Sequence, residues 1–222
     1  EKDFAKEAVA VSDSFKQTAL RLADHQLDFD YVDSTVILQS RIGKDGWTAP
    51  GGKRYEALII PDIDVLETRV LERLEKLADA GVWLLIQGDG PAVAETGANG
   101  EKLAERFRKL TERENVRTAD DARGLAALAK EAVDPDVRLE AEHPEILARI
   151  ERFADASAFL LVNTSKEESV FRADFKAFGQ RARLWDPATG EVRELAATWD
   201  EERVSVELSL AGWQAIVVTV EP

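Results

Sequence analysis

The sequence predicts an α/β domain with a parallel sheet, followed by an antiparallel β-sandwich. Three observations carry this. Residues 55–87 pass from a short apolar run through a helical stretch to a second apolar run, which makes one βαβ unit with a right-handed crossover. Asp134-Pro135-Asp136 stops the last helical pattern. From about residue 146 the spacing changes to short strands separated by turn residues. The expected domains are therefore 1–136 and 137–222.

Taken in order, Phe4, Ala8, Val11, Phe15, Ala19 and Leu22 recur in steps of four and three, one face of a helix over about 3–26. Residues 27–32 alternate briefly, as an edge strand does. Asp33-Ser34 suits the cap of a short helical turn. Gly43 to Gly46 and Pro50-Gly51-Gly52 are turn chemistry and bracket Trp47 in a hairpin. In the central unit, Leu58, Ile59 and Ile60 lack polar alternation, as expected of a strand covered on both faces. A helix over 65–80 puts Val70, Leu74 and Leu77 on one stripe and ends at Gly81, where a glycine cap belongs.

Gly88-Asp89-Gly90-Pro91 opens a polar loop to about Gly100. Leu103, Phe107 and Leu110 mark the next helix, 115–117 a short strand, and Asp120 or Asp121 the cap of a helix holding Leu125 and Leu128. Seven strands are expected beyond it, at 146–153, 157–163, 169–175, 181–185, 191–195, 204–208 and 214–220. The first two form a hairpin turning at Asp155-Ala156.

Composition sets limits on function. A 222-residue chain with 45% hydrophobic and 32% charged residues is ordinary globular material. A net charge of -14 without a Lys/Arg cluster argues against nucleic acid or an anionic membrane as partner. No apolar run approaches the roughly 20 residues that span a bilayer. With no cysteine, thiolate catalysis, disulfides and cysteine metal sites are excluded. The two histidines, His25 and His143, leave little room for zinc or Ser-His-Asp schemes, and no cofactor is called for. Methionine is absent, which points to processing, excision from a longer chain, or redesign. Glu1 to Phe4 has no signal-peptide character, so localisation stays open, periplasmic or secreted if the chain belongs to a polysaccharide-degrading enzyme.

The order of motifs resembles a known family. Asp28-Phe29-Asp30-Tyr31-Val32-Asp33 precedes a Gly/Pro-rich segment; Tyr55 to Asp64 leads into a helix ending Leu77-Ala78-Asp79-Ala80-Gly81. Later come Leu161-Val162-Asn163-Thr164-Ser165 and Leu184-Trp185-Asp186-Pro187-Ala188-Thr189-Gly190, then Ala215-Ile216-Val217-Val218. This resembles the region beyond the catalytic barrel in glycoside hydrolases like family 106, the α-L-rhamnosidases. The resemblance implies a flavodoxin-like, three-layer domain, similar to class I amidotransferases and the β-galactosidase trimerisation domain, followed by a β-sandwich. It also implies a partner, the catalytic barrel of the same polypeptide or of a partner chain, which would carry the catalytic carboxylates. The strand after the helix departs from the family's small-residue start, reading Val82-Trp83. No catalytic residue can be carried over.

Candidate chemistry is thin. The turns after 60 and 87 hold neither Ser nor Cys, so no nucleophile elbow exists there. Asp62 and Asp64 follow a parallel strand, where open α/β sheets bind ligands; equally, Asp64 suits a helix cap and Asp62 a solvated turn. Gly88-Asp89-Gly90 lacks the third glycine of a dinucleotide fingerprint. Asn163-Thr164-Ser165 matches a glycosylation sequon but fits a strand-ending turn. Trp185 and Trp199 are the candidate sugar platforms of the sandwich, weighed against packing beneath its turns, which is also the reading of Trp213.

The functional expectation is a non-catalytic C-terminal portion of a rhamnosidase-like glycoside hydrolase, bracing the barrel and contributing to its cleft rim. The alternatives are a free-standing carbohydrate-binding or interaction module, and a redesigned chain without evolved activity. The first should leave an apolar patch, plausibly on the 4–22 helix; the second, two or more exposed tryptophans.

Overall fold

The computed structural model describes residues 4–43, 46–63, 65–88, 92–93 and 98–222. By internal contacts the chain forms two compact units. One comprises residues 1–21 and 30–133, the other 22–29 and 134–222. Among the described residues no helix is long and apolar enough to cross a membrane.

The first unit is mixed α/β. Its elements are α1 (Phe4–Asp24), α2 (Ser34–Gln39), β1 (Arg41–Gly43), β2 (Gly46–Thr48), β3 (Arg54–Tyr55), β4 (Ala57–Ile60), β5 (Val65–Leu66), α3 (Thr68–Asp79), β6 (Trp83–Gln87), β7 (Ala92–Val93), α4 (Ala98–Thr111), β8 (Val116–Ala119) and α5 (Ala122–Ala132). The last three residues of α1, 22–24, group with the second unit. Strands β4, β6 and β8 form a parallel sheet in that order, with Ala57 opposite Trp83 and Leu84 opposite Val116.

The expected βαβ unit is present. Two-sided burial is complete at β6, where Leu84, Leu85 and Ile86 are fully buried, because β6 is the central strand. Ile59 on the edge strand β4 is half-buried, a correction to its expected cover on both faces. Leu84 and Ile86 share a core with Val70, Leu71, Leu74 and Leu77 of α3 and with Leu103, Phe107 and Leu110 of α4. By strand alternation Leu85 points to the other side, and α5 packs on β4, β6 and β8.

Helix α3 begins at Thr68, not at 65, since Val65 and Leu66 pair in parallel with Ala92 and Val93 and Glu67 takes the N-cap. Its end follows expectation: Gly81 has φ +85°, its N–H donates to Ala78 O, and the Val82 N–H donates to Leu77 O. Helix α1 ends the same way with Gln26 in the left-handed position, at φ 55°. The buried Gln26 amide compensates for that strain by donating to the carbonyls of Asp24, His143 and Ile146.

Residues 27–33 form no strand, contrary to expectation. Asp28 instead accepts from Arg149 at 2.8 Å, while Asp30 takes Tyr55 Oη at 3.0 Å and Lys53 at 2.6 Å. Asp33 caps α2 through the Val36 N–H, and Asp121 caps α5 through the Gly124 N–H. Trp47 sits in the expected hairpin, fully buried and stacked on Tyr55 at 4.7 Å. Gly46 is required there, because a Cβ would lie 2.4 Å from Tyr55 O. Lys44, Asp45, Asp89, Gly90 and Pro91 lie outside the described residues, as do the side chains of 4–8.

The second unit is β-rich. Its strands are β9 (Val137–Leu139), β10 (Ile146–Arg152), β11 (Ser157–Asn163), β12 (Ser169–Lys176), β13 (Arg181–Trp185), β14 (Val192–Glu194), β15 (Ala197–Trp199), β16 (Arg203–Leu210) and β17 (Ala215–Glu221). They form two antiparallel sheets, β10-β11-β17-β13-β14 and β15-β16-β12-β9. Alternate residues of both, among them Phe159, Leu161, Phe171, Phe175, Val206, Leu208, Ile216 and Val218, fill one core. All seven expected strands are found, with the 146–163 hairpin closed by Phe153 N–H to Ala156 O. The short edge strands β9 and β15 are additions.

A charged cluster holds the start of this unit. The Arg203 side chain is nearly buried and donates to Asp134 and to Pro135 O, while Lys176 lies 3.1 Å and Arg138 2.5 Å from the Asp134 carboxylate. Burial pushes the Asp134 carboxyl up, but the Lys176 hydrogen bond and the charges of Arg203, Lys176 and Arg138 outweigh it and hold it below its usual range. A carboxyl whose folded pKa is depressed adds stability above its unfolded pKa, about 4, and loses it as pH falls through the folded value. Asp134→Asn is therefore expected to lower the urea midpoint at pH 7 and to narrow the difference between pH 7 and pH 3. An unchanged pH difference would contradict this.

Candidate functional site

Three places gather chemistry-bearing side chains. The first is the carboxyl end of the parallel sheet. Pro61 and Asp62 follow β4, Gly88 follows β6, and the Gly88 N–H donates to Ala119 O at the end of β8. Ser14 of α1 joins them: its Oγ accepts the Asp62 N–H at 3.0 Å and donates to Gln87 Oε1 at 3.3 Å. The exposed Asp62 carboxylate lies beside Gly88, whose absent Cβ would stand 3.6 Å from Asp62 Oδ1.

This cluster offers one carboxylate, one amide and one hydroxyl. Among the described residues the hydroxyl has no imidazole partner to remove its proton, so nothing there activates Ser14 as a nucleophile. Asp64, the other expected residue here, lies outside the described residues. The N-cap of α3 is Glu67, which makes no side-chain cap bond. Among the described residues no group of three His, Asp or Glu is arranged to hold a metal.

The second place is in the β-rich unit. Glu145 Oε1 accepts from Ser169 Oγ at 2.7 Å and lies 3.0 Å from His143 Nδ1. Burial raises the Glu145 carboxyl, but these bonds from Ser169 and His143 hold it below its usual range. A nucleophilic triad needs the imidazole between hydroxyl and carboxylate. Here the carboxylate stands between the other two, so Ser169 stays a buried donor.

The third place is the outer face and rim of the five-stranded sheet. Trp185 closes β13 and is 39% exposed rather than packed beneath its turn, a correction to that reading. Its Nε1 donates to Thr219 Oγ1 at 3.0 Å, and Thr219 Oγ1 donates to Glu221 Oε1 at 3.3 Å. Trp185 is paired directly with Val217, so Thr219 is the next outward residue along β17. The indole therefore lies along the sheet surface, one edge tied down. Trp199 on edge strand β15 is half-buried against the core, which makes it packing material more than a platform.

Trp213 is 71% exposed, also contrary to the packed reading, and its φ of 62° is rare for a bulky residue. Its loop is held by Asn163, fully buried, whose Nδ2 donates to the carbonyls of Glu167, Leu210 and Ala211 and whose Oδ1 accepts the Ser165 N–H. The sequon asparagine is thus a strand-ending turn residue, as expected. Gly212, beside Trp213, has no room for a side chain, since a Cβ would meet Lys166 O at 2.2 Å.

Comparison with known proteins places this arrangement. The family model of α-L-rhamnosidases matches residues 4–199. The curated "Putative beta-glucuronidase" of Formosa agariphila is 21% identical over 231 residues, covering 98% of this chain and 19% of its own. Among solved structures, the rhamnosidase from Novosphingobium sp. PP1Y aligns with a TM-score of 0.69 and 20% identity, over 89% of this chain and 20% of that one. The β-galactosidase from Bacillus circulans sp. alkalophilus aligns with a TM-score of 0.59 and 10% identity, over 95% and 37%. At such identities these structural matches speak for the fold. The chain spans about one fifth of the length of the glucuronidase and rhamnosidase relatives. With the family model matched over most of its length, the chain belongs to the α-L-rhamnosidase family of glycoside hydrolases.

Proposed function

We propose that the chain is a non-catalytic portion of a rhamnosidase-family glycoside hydrolase, bracing a catalytic barrel carried by the rest of the polypeptide or by a partner chain. The observation that carries this is coverage: the chain is matched almost throughout, yet corresponds to 19% and 20% of two relatives. The polar groups at the carboxyl end of the parallel sheet, Ser14, Asp62 and Gln87, suit a cleft rim that contacts sugar hydroxyls. In this reading the first unit is a reduced amidotransferase-like, flavodoxin-like domain and the second a β-sandwich, with the domain boundary near residue 136.

The test is to excise the corresponding stretch from the Novosphingobium rhamnosidase. The remaining enzyme is expected to melt at a lower temperature, with catalysis per folded molecule largely kept. Unchanged melting would contradict bracing, and complete loss of catalysis in a folded remainder would contradict the non-catalytic assignment.

A further inference from the structure

Two neighbouring rows of outward residues on the five-stranded sheet run past Trp185. Direct cross-strand pairing aligns Arg149, Leu160, Val217, Trp185 and Val192 in one row. The next aligns Glu151, Ala158, Thr219, Arg183 and Glu194. Leu160 and Val192 are exposed like Trp185, so the indole sits in an aliphatic strip with a polar strip alongside.

The indole is fixed before any ligand arrives. Its only donor is spent on Thr219, which is itself held by Glu221, and Arg183 lies 3.6 Å from the Glu221 carboxylate. What remains for a partner is one face of the ring. An apolar, polarisable plane beside hydroxyl, guanidinium and carboxylate groups matches a pyranose, which has an apolar C–H face and a hydroxylated edge.

Charge complementarity narrows the class. Each outward arginine of this face lies near a carboxylate, Arg149 near Asp28 at 2.8 Å, Arg181 near Glu194 at 3.7 Å and Arg183 near Glu221, and Glu151 adds a further negative charge. Among the described residues no surplus cation on this face favours an anionic glycan, so a neutral sugar fits. The aliphatic strip further favours a ring bearing a methyl over one bearing a hydroxymethyl group.

We propose that this face binds a neutral glycan by stacking one deoxyhexose ring on Trp185, with Arg183 and Glu194 addressing its hydroxyls. The inference rests on the glycoside-hydrolase reading above and gives that portion a ligand of its own.

The test is ligand-observed NMR titration of the full chain with methyl α-L-rhamnoside, and with methyl α-L-mannoside, which carries one hydroxyl more. Saturable binding with a dissociation constant of the order of millimolar is expected, with saturation transfer strongest to the ring hydrogens of one face. Trp185→Ala should weaken it at least ~10-fold and Trp185→Phe less, since a π-face remains. Thr219→Val, which frees the indole edge, should weaken it several-fold while leaving the far-ultraviolet circular dichroism unchanged. Flat titrations, or equal binding by folded Trp185→Ala, would overturn the proposal and leave the strip to a protein contact. Such a result would not touch the non-catalytic reading, which fails only if the chain hydrolyses glycosides or the excision experiment contradicts it.

Discussion

Phe175→Ala is expected to destabilise the two-sheet unit by about 4 kcal/mol. Phe175 is fully buried on β12, and its ring meets that of Phe159 from the opposite sheet at 4.5 Å. Its cross-strand neighbours in the same core row are Val204 on one side and Val137 on the other. Both flanking strands are fixed by backbone ladders, so the walls of the cavity cannot close, and the cost falls toward the upper part of the usual range. Urea unfolding followed by far-ultraviolet circular dichroism reads it directly. A loss below about 1 kcal/mol would mean the core collapses around the gap.

Asn163→Ala carries the second large effect, about 3 kcal/mol, for a different reason. The substitution removes little apolar contact but takes a donor from the buried Leu210 carbonyl and the acceptor from the Ser165 N–H, while the Glu167 and Ala211 carbonyls keep Ser165 Oγ and the Gln214 N–H as donors. Buried groups left without partners cost more than the bonds contribute when made. Asn163→Asp should be worse than alanine, since it faces the same carbonyls with a negative charge. The Trp213 loop is tied to these carbonyls, and the Trp213 N–H donates to Ser165 O at 2.9 Å. The indole resonance of Trp213 is therefore expected to shift or broaden in both variants. A sharp, unmoved resonance would show that the loop holds itself without Asn163.

The parts of the fold legible in the sequence are those whose signal is local. The β10–β11 hairpin was carried by two short strand-like runs and the Asp155-Ala156 turn, and the end of α3 by Gly81. Asp33 and Asp121 cap the helices that follow them because a short side-chain oxygen at that spacing reaches a free N–H. Strands β9 and β15 were missed because three residues on a sheet edge show no period of their own; β12 and β16 define them. Val65 and Leu66 carried a helical pattern but were taken by two residues 27 positions downstream, a tertiary contact that propensity does not see.

The site divides along the same line. Asp62 at the end of β4 could be found from topology alone, since a residue after a parallel strand lies at its carboxyl edge. Its link to Ser14 could not, at a separation of 48 positions. Trp185 was identifiable as an aromatic at a turn, yet its orientation depends on Thr219, 34 residues on. Trp199, by residue type an equal candidate, became packing material when β15 placed it against the core.

Whether this chain, by itself, hydrolyses a glycoside tests the non-catalytic assignment most directly. Purified chain at high concentration, incubated with an aryl α-L-rhamnoside and followed for released aryl alcohol, is expected to match the protein-free blank. Release proportional to protein concentration, and lost on substitution of a carboxylate such as Asp62, would contradict the non-catalytic assignment and move the reaction into this chain.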